Sequence, residues 1–283
     1  MSDLVFTETI NRCALSFIIR NFNDVYKSNT KSDSEKKGIF SGLRTYLKSV
    51  SYDGTIELNY KQKAYGVGRV YSNKYSLQKM PRVIRNAIVY DNVKDIDIRN
   101  AHPEILALLC KKKNINCPYL DLYVANRHEW LSVLNPNDRN DAKESMIKIM
   151  YGGQAPNTTF SNIDKFHDEL RNITHLLTSF PEFKKHFKIS LDKRHNIDSF
   201  LSMVLQDIEN DILNICIQYC KTNNLKIHTL MYDGFTCENN IDLNELSDYV
   251  FEKMDYRVVY VEMEMETNIS IPLNAIDTNA ILS

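Results

Sequence analysis

Apolar positions fall into helical blocks at both ends of the chain and alternate in shorter pieces between them. From residue 4 to 22, Leu4, Val5, Ile10, Leu15, Phe17, Ile18, Ile19 and Phe22 predict one packed helix. Residues 34–49 predict a second, weakened by Gly38 and Gly42. Between them Lys27 to Lys37 reads as weakly ordered. From Ile56 to Asp97 the pattern turns to β-rich pieces, TIELNY, RVY and IVYDNVKDIDI. His102 to Lys112 reads as a helix beginning near Pro103, where a missing N–H costs nothing. Residues 119–134 and 138–151 predict further helices, with YGG at 151–153 as a stop. So do 163–179 and 197–222, the latter long and amphipathic. The string KIHTLMYDGFTCEN has the form of a β-hairpin turning at Asp233-Gly234. Ile241 to Met254 predicts a helix, and Tyr256 to Ile271 a strand. In that strand Glu262, Glu264 and Glu266 form a solvated face opposite Val261, Met263 and Met265.

Helices, strands, helices and strands in that order predict an α+β chain whose separated strands join in one antiparallel sheet. Such a sheet can bring Asp97, at the end of one strand, beside Asp233, at the hairpin turn.

Composition narrows the function classes. The 283 residues are 43% hydrophobic and 25% charged, the profile of a globular protein. No run of about 18 apolar residues is present, so no membrane partner is expected. The first residues lack the basic-then-apolar layout of a secretory signal. Six irregularly spaced cysteines make no disulfide framework. An intracellular protein, cytoplasmic or nuclear and with reduced thiols, is expected. A net charge of −1 gives no global attraction for polyanions, so such contacts require a local patch. Lys111 to Lys113, Lys184-Lys185 with Lys188, and Lys193-Arg194 are each read as solvated surface. Cys216 and Cys220, one helical turn apart, are read as core. His128, His167, His175, His186 and His195 show no metal-ligand spacing. No GxxxxGK[ST] loop exists, which argues against a phosphate-loop ATPase.

The chemistry-bearing positions are few. Asp97 and Asp233, each at a strand boundary, are placed to hold two Mg²⁺ ions for in-line phosphoryl displacement. Taken singly, each has an ordinary structural reading, Asp97 as a helix cap and Asp233 as an Asp-Gly turn. A third element adds weight. In RNDAKESMIKIMYG, Arg139, Lys143 and Tyr151 lie at offsets of 0, 4 and 12 along a slowly rotating helical stripe. Two cations one turn apart suit a triphosphate. An aromatic ring beside Gly152 suits a base or sugar.

The spacing R-x3-K-x7-YG resembles the fingers-helix motif of the single-subunit nucleic-acid polymerases, the family A DNA polymerases and the phage and mitochondrial RNA polymerases. Asp97 and Asp233 are similar to that superfamily's two catalytic aspartates. GRVYSNKYSLQKMPRVIR, Gly68 to Arg85, resembles the GR…LQ…P…R-x-I-R stretch that leads into the first of them, and the helix LQDIENDIL resembles the glutamine-bearing helix before the second. Five elements occur in the family's order over roughly residues 65–240.

The resemblance implies a right-hand polymerase core with an antiparallel palm sheet, helical fingers and a reduced thumb. Residues 1–64 would be the helical, thumb-like part, 65–110 the first part of the palm, 111–195 the fingers, and 196–283 the rest of the palm. It implies that Asp97 and Asp233 bind two Mg²⁺ ions, with Mn²⁺ as a substitute, aided by the Ile98 carbonyl. Arg139 and Lys143 would bind the incoming triphosphate, and Lys143 would help protonate pyrophosphate. Tyr151 would pack on the nascent base pair, and Gly152 would let the template pass. His102 would lie beneath the sugar. Arg69, Gln206 and Tyr232 would sit at the primer end, and Gln78 and Arg82 would contact the strands.

The chain departs from the family in three ways. Motif C reads Tyr232-Asp233-Gly234 where family A carries His-Asp-Glu. His102 stands where those DNA polymerases carry a Glu that excludes a ribose 2′-OH, so which sugar is admitted stays open. Only 136 residues separate the two aspartates, leaving room for short fingers. The stretch before the GR block is too short for an exonuclease, so no proofreading and low processivity are expected. The resulting expectation is a small Mg²⁺-dependent DNA polymerase that extends a primer-template with nucleoside triphosphates, with an external processivity or replication partner and a viral or mobile-element origin. Primase, RNA polymerase and template-independent tailing are the alternatives within the class. An inactive nucleic-acid-binding scaffold or a metal-dependent nuclease stands outside it.

Overall fold

Two antiparallel sheets form the centre of the chain, with helices packed around them. The computed structural model describes residues 4–28, 30–62, 65–90, 92–154, 160–194, 198–238 and 240–272. Strand β1 is Leu4–Thr9, followed by helices α1 (Arg12–Arg20), α2 (Phe22–Val25) and α3 (Asp33–Ser49). Strands β2 (Thr55–Gln62) and β3 (Val70–Ser72) lead to a 3₁₀ turn at Leu77–Lys79 and helix α4 (Arg82–Ile88). Strand β4 (Lys94–Ile98) opens into α5 (Ala101–Lys112), α6 (Pro118–Ala125), α7 (Arg127–Leu134), α8 (Arg139–Met150), α9 (Asn162–Leu177), α10 (Lys184–Arg194) and α11 (Asp198–Thr222). Hairpin strands β5 (Ile227–Leu230) and β6 (Gly234–Cys237), helix α12 (Leu243–Met254) and strand β7 (Tyr260–Met263) complete it. Among the described residues no helix is long and apolar enough to cross a membrane.

Among the described residues, the single sheet expected from the strand order is in fact two, β1-β2-β3 and β5-β6-β4-β7. The second one positions the site. Strand β4 pairs β6 from Lys94↔Cys237 to Asp97↔Gly234, and pairs β7 from Asp95↔Met263 to Ile98↔Tyr260. Three segments far apart in sequence therefore converge on the end of β4. Buried Ile96, Ile98, Phe235 and Tyr260 pack this sheet against the helices. Beneath it Arg85 of α4 donates to the Asp95 carboxylate at 2.9 Å, and both residues are buried.

Several expected elements take another form. The helix expected over residues 4–22 is strand β1 followed by α1. Leu4 to Thr9 pairs with Tyr60 to Thr55, and Asn11 stops the strand and caps α1 by accepting from the Ala14 N–H at 2.8 Å. The IVY piece before β4 forms the end of α4 and a turn, because Arg82–Ile88 is helical. The expected strand 256–271 shortens to β7, although Glu262, Glu264 and Glu266 are exposed as the alternation implied. Helix α10 has no counterpart among the expected elements, and 119–134 divides into two helices. In the stretch read as weakly ordered, α3 begins at Asp33 with a capping box between Ser32 and Glu35. None of the six cysteines is joined in a disulfide, and Cys216 and Cys220 are buried in the core. His195, and the side chains of Lys193 and Arg194, lie outside the described residues.

A buried carboxylate joins the two sheets. Glu8 of β1 accepts from the Tyr46 hydroxyl at 2.6 Å, the Thr229 hydroxyl at 2.6 Å and the Leu77 N–H at 3.2 Å. Nearby, the Thr9 N–H donates to His228 Nε2 at 2.5 Å, tying β1 to β5. Burial pushes the Glu8 carboxyl up to about 7 against the lowering effect of those hydrogen bonds. A raised carboxyl favours the folded state while it is protonated. That stability is complete below pH 4.5 and is lost as pH rises through about 7. The span corresponds to about 3 kcal/mol. Glu8→Gln is therefore expected to flatten the stability profile between these limits, as read by urea melts at pH 5 and pH 8. A wild-type profile that does not fall over this range would contradict the assignment.

Candidate active site

Strand pairing alone explains why Asp97 meets Asp233. Asp97 faces Gly234 across the β4–β6 ladder, and the Ile98 N–H donates to the Asp233 carbonyl at 3.3 Å. Gly234 permits that approach. A Cβ there would lie 1.9 Å from the Ile96 carbonyl oxygen, so the position following the second aspartate has no room for a side chain. A carboxylate side chain following Asp233 would collide with β4 on this backbone.

The two carboxyls share a hydrogen bond, and both are held above the ordinary carboxylate range. For Asp97 the causes are burial and then the charge of Asp233; for Asp233 they are burial and then the charge of Glu209. A half-buried pair of acids in this state is relieved by a proton or by a cation. Its oxygen-only donor set fits hard divalent ions such as Mg²⁺. Among the described residues no group of three acidic, His or Cys side chains is placed to hold a metal ion, so the pair would leave coordination positions for water and phosphate oxygens.

Beside the acids opens a cavity of about 440 Å³. Asp97, Asp233, Lys143, Tyr151, His102, Arg69 and Gln206 all line it. Helix α5 brings His102 there through a left-handed corner at Asn100, with φ of 52°. Helix α8 forms the opposite wall. Its N-cap Asp138 accepts from the Asn140 and Asp141 N–H groups at 2.9 and 3.1 Å. Its stripe carries Lys143, Ile147 and Tyr151 into the cavity, and Ile147 is 56% exposed.

Positive charge concentrates at this wall. Partial burial and the nearby cations Arg139, Arg127 and Arg82 lower the Lys143 ammonium from its usual value. Arg139 and Arg82 stand outside the lining yet act on Lys143, and Arg127 is part of the lining. Arg82 also donates to the Glu264 carbonyl at 2.6 Å.

At the floor, Glu209 of α11 is fully buried. Arg69 grips it with Nε at 2.5 Å and Nη2 at 2.9 Å, and His102 Nε2 lies 3.3 Å from the same carboxylate. Burial would raise Glu209, but the bonds to His102 and Arg69 prevail and hold it below the ordinary carboxylate range. The Tyr151 hydroxyl bonds His102 Nδ1. The Arg69 guanidinium also lies 4.9 Å above the Tyr232 ring, which packs on Tyr71 at 5.8 Å.

Arg139, Arg82 and Tyr232 are not among the lining residues, and two further expected site residues sit elsewhere. Gln78 is buried, its amide spent on the Ser72 N–H at 3.2 Å and the Val70 carbonyl at 3.2 Å, so its side chain does not reach a nucleic-acid face. Gly152, with φ of 81°, turns away from the end of α8 and lines a separate cavity with Arg171 and His175. Among the lining residues that escape the sequence reading are Ile147, Glu209 and Arg127. Ile147 falls four residues after Lys143, and Glu209 one turn after Gln206, so helical spacing would have flagged both. Arg127, at the start of α7, carries no local signal.

No family model matches the sequence. A curated relative, "Putative helicase V13" of the Sputnik virophage, is 29% identical over 236 residues, which is 75% of this chain and 30% of that protein. Among solved structures, the POL domain of Pol1 from M. smegmatis, in complex with DNA primer-template and dNTP, superposes with a TM-score of 0.59 at 14% identity. The match covers 90% of this chain and 66% of that one. The chain thus spans less than two thirds of either protein's length. It is a mixed α/β chain with antiparallel sheets, similar in fold to a DNA polymerase domain and in sequence to part of a viral protein.

Proposed function

We propose that the chain is a nucleic-acid polymerase module that transfers nucleotides to the 3′-hydroxyl of a DNA primer on a template. The observation that carries this reading is the meeting of Asp97 and Asp233 in one cavity with Lys143 of α8. From Arg139 to Tyr151 the helix rises roughly 18 Å, a span that suits a nucleoside triphosphate laid along it. Its phosphates would face Lys143, Arg127 and Arg139, and its base would face Ile147 and Tyr151. The solved primer-template and dNTP complex of the Pol1 domain supports the same classes of partner.

In the reaction the primer 3′-oxygen bonds to the α-phosphorus as the bond from that phosphorus to the β-bridging oxygen breaks, releasing pyrophosphate. Two Mg²⁺ ions held by Asp97 and Asp233 would lower the pKa of the attacking hydroxyl and neutralise the leaving group. Lys143, its proton loosened by partial burial and by neighbouring cations, is suited to donate to the departing pyrophosphate. Arg127 and Arg139 hold the phosphates in line. Tyr232, in contact with Arg69 and Tyr71, would offer a ring at the primer terminus.

A second reading, synthesis of a primer on a bare template, draws on the 29% match to part of a protein named as a helicase, since strand separation exposes template in need of primers. The chain has no GxxxxGK[ST] loop of its own.

The experiment is extension of a labelled primer-template with Mg²⁺ and either dNTPs or NTPs, with parallel reactions lacking primer or template. Template-dependent lengthening is expected. Products in the primer-free reaction would favour the second reading. No product with any nucleotide set would overturn both.

A further inference from the structure

The fully buried Glu209 acts on Asp233 through its charge, and it also joins two residues of the cavity floor. We propose that Glu209 is a positioning residue that fixes the His102 imidazole beneath the sugar of the incoming nucleotide and so makes the site selective for deoxyribonucleoside triphosphates; this rests on the polymerase reading above.

The polymerase reading gives the sugar its place. On that reading Asp97 and Asp233 would face the α-phosphate and Tyr151, three turns along α8 from Arg139, the base. The sugar between them would lie over the first turn of α5. His102, five residues beyond Asp97, is the side chain there that bonds Tyr151.

Rigidity comes from the partners of the ring. Glu209 accepts at 3.3 Å from His102 Nε2, which leaves Nδ1 as the acceptor for the Tyr151 hydroxyl. Arg69 donates to both oxygens of the carboxylate, the one that His102 approaches included, so Glu209 cannot turn away. Both ring nitrogens are occupied, and the ring packs edge-on to Tyr151 at 5.8 Å. A ribose 2′-hydroxyl set on this floor loses water and meets polar atoms that already have partners. Leaving such a group unpaired costs roughly tenfold or more in transition-state binding. A carboxylate placed directly under the sugar is not required for this selection. It reaches the sugar through an imidazole, from a helix that enters the fold more than a hundred residues later.

The test compares kcat/KM for a dNTP and the matching NTP in wild type, Glu209→Gln, His102→Ala and the double variant. Wild type is expected to prefer the dNTP. Glu209→Gln should reduce that preference by at least about tenfold, and in the His102→Ala background it should change the ratio no further. A role confined to stability would slow both nucleotides equally and leave the ratio intact, and that result overturns the proposal. So does a wild type indifferent to the sugar. Tyr151→Phe breaks the same chain of bonds from its other end without touching the buried ion pair. It should lower the ratio as well, and an unchanged ratio there also counts against the proposal if Glu209→Gln proves unfolded. A wild type that incorporates neither nucleotide at any template position removes the polymerase reading itself, whereas incorporation with an unmoved ratio removes only the role of Glu209.

Discussion

Asn at position 97 or 233 is expected to reduce nucleotide incorporation by at least about 10³-fold, the scale of losing a preorganised electrostatic group, while making the metal-free protein more stable at neutral pH. The two effects have one origin. Burial, with the charge of Asp233 acting on Asp97 and that of Glu209 on Asp233, holds both carboxyls above their ordinary values, so the folded chain binds protons that the unfolded chain has released. Stability from these groups is complete below the ordinary aspartate value near 3.8 and is lost as pH rises through the higher folded values. A neutral amide of the same shape removes that cost. Asp97→Asn should therefore melt above wild type in chelator at pH 7.5, and added Mg²⁺ should raise the melting temperature of wild type but not of the variant. A variant that keeps its activity, or a wild type whose melting ignores Mg²⁺, would detach the pair from a metal site. The thermal arm of the experiment holds even where no nucleotide is present.

Lys143→Ala should lower kcat/KM for the nucleotide by about 10²-fold and leave primer-template affinity largely intact. Lys143 is the cation of α8 that lines the cavity, and the crowding of Arg139, Arg127 and Arg82 around it adds to partial burial in lowering its pKa. Uncompensated like charges at a half-buried wall are costly unless a polyanion neutralises them, and a triphosphate is such a polyanion. Because Lys143 is also placed to protonate pyrophosphate, the loss should appear in kcat as well as in KM. Steady-state kinetics over a range of nucleotide concentrations separates the two. An unaltered nucleotide dependence would mean that the phosphates bind elsewhere.

How much of this is legible before folding depends on whether a feature is local. The end of β4, the Asp233-Gly234 turn and the basic stripe of α8 are written in consecutive residues, since alternation, turn chemistry and helical spacing each act over a few positions. The pairing of β4 between β6 and β7 is not written there, because it depends on which distant segments bury each other. That is why one expected sheet becomes two. Residues 4–22 mislead for a related reason. Their apolar residues suit a helix, but β2 offers Leu4 to Thr9 a partner strand, and Asn11 makes a cap where the pattern implies a helix interior. Gln78 shows the limit of a motif. Its string resembles the family's, yet its amide is consumed by Ser72 and Val70. Glu209 shows the converse, a residue close to a recognised glutamine whose importance lies wholly in partners 140 and 107 positions away.

If Asp97 and Asp233 hold divalent ions opposite a triphosphate carried by α8, a heavy divalent ion should report it directly. Crystals grown with primer-template, Mn²⁺ and a non-hydrolysable dNTP analogue provide that measurement, through the anomalous signal of the manganese. The signal is expected between the two aspartates, with the triphosphate along Lys143 and Arg127. Manganese bound away from Asp97 and Asp233, or phosphates seated off the α8 wall, would contradict it.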